Sequence, residues 1–215
     1  MKLVTGPLSM FGAKTQIAIA EKGIDCEIEM VPFSIQHRYS PLHPEVERLN
    51  PKRQVPLLFD GAVQIFDSTQ IFEYIEHKFP SPALWPAGTA ERAEARLLEL
   101  KSDEVFFQDF KTLMSAAGNT QTPEARVAIE NMQGYYRAMD DLLASREWLA
   151  GSYSYADIAF LCASWFASIL GGAPGVEFRH VGDWRKRMIA RPAVNQTMKE
   201  ISAFLSRNGI PAPVI

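Results

Sequence analysis

Cysteine is nearly absent: Cys26 and Cys162 are the only two in 215 residues. So few thiols exclude a disulfide framework, and their separation matches no cysteine-based metal site. The four histidines, His37, His43, His77 and His180, are scattered and share no ligand spacing. An excess of one charge is also missing. Lys and Arg number 22 against 25 Asp and Glu, and the net charge of −3 gives no general pull toward nucleic acid or an anionic membrane. The longest apolar run, 158–170, is interrupted by serine and falls short of the ~20 residues that a bilayer requires. Met1-Lys2 leads straight into an apolar segment of strand type, without the charged, apolar and small-residue regions of a secretory signal. A cytoplasmic protein with no metal, nucleic-acid or membrane partner is therefore expected. Apolar content of 47% and charged content of 22% are ordinary globular values, which argues against disorder.

What is present divides at Phe79-Pro80-Ser81-Pro82-Ala83-Leu84-Trp85-Pro86, a proline-rich linker. Before it, in residues 1–79, short strands alternate with helices. Segments 2–5 and 26–31 read as strands, and 13–22 as a helix ending at Gly23. A long connection, 32–50, carries one helical turn near 45–49. Segments 56–59 and 63–66 form a hairpin around Asp60-Gly61. A helix over 68–78 follows, with Ile71, Phe72 and Ile75 on one face. The order is β-α-β, connection, β-β-α. After the linker, taken as 80–87, residues 88–215 show only helical spacing: 91–114, 124–143, 154–170, 184–189 and 194–205. Segment 154–170 is apolar almost all round and should be the buried central helix. An α/β domain followed by an all-α domain is the expected architecture.

The richest local pattern is Gln54-Val55-Pro56-Leu57-Leu58-Phe59 and, past the turn, Asp67-Ser68. A proline heading an apolar run cannot donate a ladder hydrogen bond. Either the strand is at an edge, or the Val55–Pro56 bond is cis and turns the Val55 N–H and C=O toward something extended and peptide-like. Asp67-Ser68 opens a helix with a carboxylate, a hydroxyl and free N–H groups at one spot. Such a site suits a ligand that carries an ammonium and a carboxylate side by side. A plain helix cap is the alternative. Ser154 to Asp157 reads as a capping-box variant that starts the buried helix, a structural feature.

Three elements in order carry a resemblance. The first is Gly6-Pro7-Leu8-Ser9 followed by Ala18-Ile19-Ala20-Glu21-Lys22-Gly23. The second is Asn50-Pro51 leading into Gln54-Val55-Pro56 and Asp67-Ser68. The third is Gly151, Ser154 and Asp157-Ile158-Ala159. With the two-part organisation, the chain resembles the cytosolic glutathione transferases over nearly its whole length. The resemblance implies a thioredoxin-like first domain, a helical second domain and a homodimer. It makes Pro56 a cis-proline, Val55 the main-chain partner of glutathione's cysteinyl part, and Asp67 and Ser68 the holders of its γ-glutamyl end. Gln54 would reach its backbone or glycine end, and Arg38 and His43 of the long connection are further candidates for the glycine carboxylate.

Chemistry of this kind needs a thiolate, and a hydroxyl donating to the sulfur beside a helix N-terminus favours that ion. Lowering a thiol pKa by about two units takes roughly 2.7 kcal/mol, within reach of one charge-assisted hydrogen bond and a helix end. Ser9 stands between the first strand and first helix, where such a donor belongs; the alternative is that it only caps the helix. Thiol-reductase branches would show Cys at position 9 or 10, a Tyr-type enzyme would show Tyr near Val4-Thr5-Gly6, and an isomerase would show a Ser-Ser-x-Cys start. The Ser-type pattern of phi, theta and many bacterial members fits best, with Met10-Phe11-Gly12-Ala13 as a departure from it. The stripe Phe106, Phe107, Phe110 and Met114 reads by default as core, while the resemblance would let Met10, Phe11, Phe106 and Phe110 hold a small hydrophobic electrophile in an apolar pocket. The implied activity is transfer of the glutathione thiolate to that electrophile. A dehalogenase, an isomerase, a peroxidase or a non-catalytic binding protein on the same fold are the alternatives.

Overall fold

β1 (Lys2–Thr5), β2 (Glu27–Met30), β3 (Leu57–Asp60) and β4 (Val63–Phe66) form one mixed sheet in the order β2-β1-β3-β4. The computed structural model describes residues 1–213. β1 is parallel to β2 and antiparallel to β3, which in turn is antiparallel to β4. The parallel pair requires a crossover, supplied by α1 (Met10–Glu21), and the antiparallel pair needs only the Asp60-Gly61 turn, where Gly61 adopts φ +61°. Leu3, Val4, Leu57 and Leu58 are fully buried, because the two central strands are covered on both faces. α2 (Pro44–Leu49) lies in the long connection, and α3 (Ser68–Lys78) buries Ile71, Phe72 and Ile75 as the spacing predicts.

The exit of α1 is tied to the exit of α3 by a buried cation. Lys22 Nζ lies 2.7 Å from Glu76 Oε2 and donates to the carbonyls of Phe79 and Pro82 at 2.6 and 2.7 Å. Three acceptors satisfy the ammonium's three donors, which is what lets a lysine be buried.

The helical part contains α4 (Thr89–Leu100), a π-helical segment (Lys101–Phe106), α5 (Phe107–Ser115), α6 (Pro123–Leu143), α7 (Tyr155–Ile169) and α8 (Arg179–Ile189). α9 (Pro192–Arg207) ends the described helices. α7 is buried along nearly its whole length, as its all-round apolar sequence requires. It begins at a capping box in which Asp157 Oδ2 accepts from the N–H and the hydroxyl of Ser154. Asp157 Oδ1 accepts from Leu149 N and Trp184 Nε1, so one carboxylate binds three segments of this unit.

Several boundaries differ from the periodicity reading. α1 starts at Met10 rather than 13, because Ser9 caps it. The helix read over 91–114 is interrupted by the π turn. α8 starts at Arg179 rather than 184; the polar residues around Val181 and Trp184 hid the spacing that continues to Met188. The described residues divide into Met1–Ala83 with Gln196–Ile210, and Leu84–Asn195 with 211–213. Helical spacing placed 196–210 with the other helices, yet most of α9 groups with the sheet, an association that long-range packing alone determines.

Candidate functional site

Ser9 is the N-cap of α1, with extended backbone (φ −106°, ψ 111°), and its Oγ accepts from Gly12 N at 3.0 Å. A hydroxyl carries one donor and two acceptor sites, so capping leaves its proton uncommitted. Accepting from an amide also polarises the O–H and makes it a better donor. The first turn of α1 has no acidic residue, so nothing in it offsets the positive end of the helix. The residue is 9% exposed. Cap and sulfur ligand are therefore compatible roles for one side chain.

Gly12, read from the sequence only as part of a departure from the Ser-type pattern, and Tyr39, which that reading did not single out, hold this loop. A Cβ on Gly12 would stand 2.0 Å from Thr5 Oγ1, so only glycine lets α1 start this close to β1. Glycine in a first helical turn is a signal that sequence reading could have used. Tyr39, from the long connection, accepts the Leu8 N–H on its Oη at 3.1 Å. Its ring occupies the place that a Gly6 Cβ would take, 2.4 Å from Cε1. Burial holds the Tyr39 phenol well above its ordinary pKa, so it stays protonated. Nothing local in the sequence announces this contact across 31 residues.

The Val55–Pro56 bond is cis. Among the described residues, neither the N–H nor the C=O of Val55 takes a hydrogen bond. Gln54 is exposed, and its carbonyl accepts from Asn50 Nδ2 at 2.6 Å. Asp67 is the N-cap of α3 at φ +76°, a region costly for any residue with a Cβ and held only where the surroundings dictate it. Its Oδ1 accepts from Thr69 N and Gln70 N at 3.1 and 3.4 Å. Its Oδ2 lies 3.5 Å from the Lys52 ammonium, a well-exposed group that another ammonium could replace. Ser68, next along, is buried at the first helical position.

The apolar candidates separate. Met10 is buried beside Ser9 and Phe11 is partly exposed. Phe106 and Phe110 are 1% and 6% exposed, and Phe106 packs against Tyr135 and Tyr136 with ring centroids 5.3 and 5.5 Å apart. These two are buried among the aromatic residues of the helical unit, the default for such a stripe. His43 is also committed elsewhere. Its Nε2 is 2.9 Å from Glu29 Oε1 while its Nδ1 accepts from Glu45 N, so it caps α2. Arg38 is exposed at φ +53°. No cluster of three or more His, Cys, Asp or Glu residues that could hold a metal ion occurs among the described residues, and no described helix is long and apolar enough to cross a membrane.

Comparison with known proteins agrees with this geometry. Family models described as "Glutathione S-transferase, N-terminal domain" and "Glutathione S-transferase, C-terminal domain" match residues 3–83 and 103–192. The stringent starvation protein A homolog of Pasteurella multocida (strain Pm70) is 25% identical over 215 residues, covering 99% of this chain and 92% of that one. The maleylacetoacetate isomerase of Rattus norvegicus is 33% identical over 147 residues, 67% of this chain and 64% of that protein. A solved glutathione S-transferase from Rhodospirillum rubrum F11 superposes with a TM-score of 0.79 at 25% identity, over 92% of this chain and 91% of that one. The chain belongs to the cytosolic glutathione S-transferase superfamily, with a thioredoxin-like first domain and a helical second domain.

Proposed function

We propose that the protein binds glutathione along Val55–Pro56 and transfers its sulfur to small hydrophobic electrophiles, as a Ser-type glutathione transferase. The observation that carries this reading is the Ser9 hydroxyl, which accepts from Gly12 and keeps its proton for a sulfur at the unneutralised end of α1. The open Val55 main chain would pair with the cysteinyl unit. Asp67 would take the γ-glutamyl ammonium in place of Lys52, Ser68 and the N–H groups of α3 would take the adjoining carboxylate, and Gln54 would reach toward the glycine end.

The thiolate held by Ser9 would attack the electrophilic carbon directly. With a chloronitrobenzene, the sulfur lone pair forms the C–S bond and chloride leaves with the C–Cl pair, so no covalent bond to the protein forms. Ion stabilisation and orientation supply the acceleration. In this reading the protein works in the cytoplasm as a homodimer, for which the exposed Leu97, Leu100 and Val105 of the helical part supply apolar surface.

The test is calorimetric titration with glutathione, followed by a conjugation assay with a chlorinated nitrobenzene. Saturable heat at millimolar glutathione or below, with product formation, supports the transferase. No heat at millimolar glutathione would sink it. Binding without product in assays of conjugation, halide release, isomerisation and peroxide reduction would favour a second reading, a glutathione-binding protein without turnover. The full-length similarity to a protein named for starvation rather than for a reaction favours that alternative.

A further inference from the structure

The last residue of β1 carries a hydroxyl that is buried and unspent. Thr5 is fully buried, and its Oγ1 has no hydrogen-bond partner among the described residues. Buried polar side chains nearly always find a partner, and one left without it lowers stability, so an orphan calls for a reason. The main chain of Thr5 is not at fault. Its carbonyl accepts from Val31 N at 2.8 Å, continuing the parallel register of β1 and β2. Only the side chain is left over.

The orphan stands beside Ser9. Ser9 N donates to the Gly6 carbonyl at 3.2 Å, closing a turn with Pro7 at its second position that brings the start of α1 back to the end of β1. The point that a Gly12 Cβ would occupy is 2.0 Å from Thr5 Oγ1 and 3.2 Å from Ser9 Oγ. The two hydroxyl oxygens are therefore no more than about 5 Å apart, and not yet bonded. Glycine at position 12 keeps the space between them free of a methyl group. Their unused capacities also match. Thr5 has one O–H to give, and Ser9 Oγ, which accepts from Gly12 N, has a second acceptor site that no described residue fills. Hydrogen bonds of catalytic groups are often long in an unliganded protein and tighten when the ligand arrives.

We propose that Thr5 is a positioning residue for the thiolate: when glutathione binds, its hydroxyl donates to Ser9 Oγ and fixes the serine O–H toward the sulfur. This role rests on the transferase reading. Each donor in such a chain polarises the next, so the negative charge on sulfur is shared by two hydroxyls and the Gly12 amide. The thiol proton passes to water, and both hydroxyls keep theirs. Thr5 acts through Ser9 and touches no substrate.

Thr5→Val keeps the shape of the side chain and removes its hydroxyl, while Thr5→Ser keeps the hydroxyl and removes the methyl. With glutathione saturating, the ultraviolet thiolate titration of Thr5→Val should move up by ~0.5–1 unit, with kcat at neutral pH lower by about threefold to tenfold. KM for glutathione should stay within about twofold, because the thiol side of the equilibrium is untouched. Thr5→Ser should keep the parent midpoint. In a Ser9→Ala background Thr5→Val should add nothing, since the chain has already lost its middle member. Thermal melting of Thr5→Val should give a Tm at or above that of the parent, because an unpartnered buried group has been removed. Thr5→Ala, which needs no extra room, should show the same midpoint shift and serves if the valine variant does not fold. An unmoved midpoint in the variants lacking the hydroxyl, equal shifts in Thr5→Val and Thr5→Ser, or a full further shift on top of Ser9→Ala would overturn the proposal and leave the transferase reading standing. No calorimetric heat from the parent with glutathione would remove both, so the two failures are told apart by one titration.

Discussion

Replacing Ser9 by alanine separates two jobs held by one hydroxyl. As the N-cap of α1 it accepts from Gly12 N at 3.0 Å, and losing a serine cap costs about 1 kcal/mol. In a chain of this size that lowers Tm by ~2–4 °C. As the sulfur ligand it donates one hydrogen bond to an anion, worth roughly 1.5–3 kcal/mol. Removing it should raise the bound thiol pKa by about 1–2 units, since each unit corresponds to ~1.4 kcal/mol. The end of α1 remains in the variant, so part of the depression should survive. The assay is ultraviolet thiolate absorbance against pH with glutathione saturating, run beside thermal melting and calorimetry. The expected result is a midpoint shifted upward, a several-fold to tenfold loss of turnover at neutral pH, and glutathione affinity within a few-fold of the parent. Ser9→Thr, which keeps a hydroxyl, should recover part of both effects. A midpoint that stays in place while Tm falls would show that Ser9 is a cap and nothing more.

Asp67→Asn keeps a good cap for α3 and a residue type tolerant of positive φ, but removes the charge facing an ammonium. Glutathione should bind roughly tenfold or more weakly, with Tm changed by less than about 3 °C; unaltered affinity by calorimetry would exclude the ammonium contact. Burial pushes the Asp157 carboxyl up to about 6. Between its unfolded value near 4 and that folded value the native chain binds the extra proton, so this contribution to stability is complete below the window and lost as pH rises through it. The amount is on the order of 3 kcal/mol. Denaturant titrations of the parent and Asp157→Asn across that window should show the parent's stability relative to the variant declining as pH rises, and a flat difference would refute the burial argument.

Much of the architecture was legible because its signals are local. The hairpin around Asp60-Gly61, the helix opening at Asp67-Ser68 and the capping box at Ser154 and Asp157 each lie within a few residues, where turn geometry and 2- and 3.6-residue periods operate. β1, β4 and α3 fall at the positions that these rules indicate. The candidate site could be nominated for the same reason, since its residues stand at element ends as one triplet (Gln54 to Pro56), one pair (Asp67 and Ser68) and Ser9. Phe106 and Phe110 were ambiguous, because an apolar stripe specifies that a face is covered without specifying by what.

Only tertiary structure decided what meets across long separations. The Tyr39 hydroxyl reaches Leu8 N over 31 residues, and Thr5 presses close enough to Gly12 to forbid a Cβ. Phe106 turns into the aromatic core, and residues 196–210 return to the sheet. The amino-acid sequence determined which segments are strands and helices and which polar groups stand at their ends. Packing of the whole chain decided which of those groups share a site, because side-chain meetings depend on the register of distant elements and not on any local period.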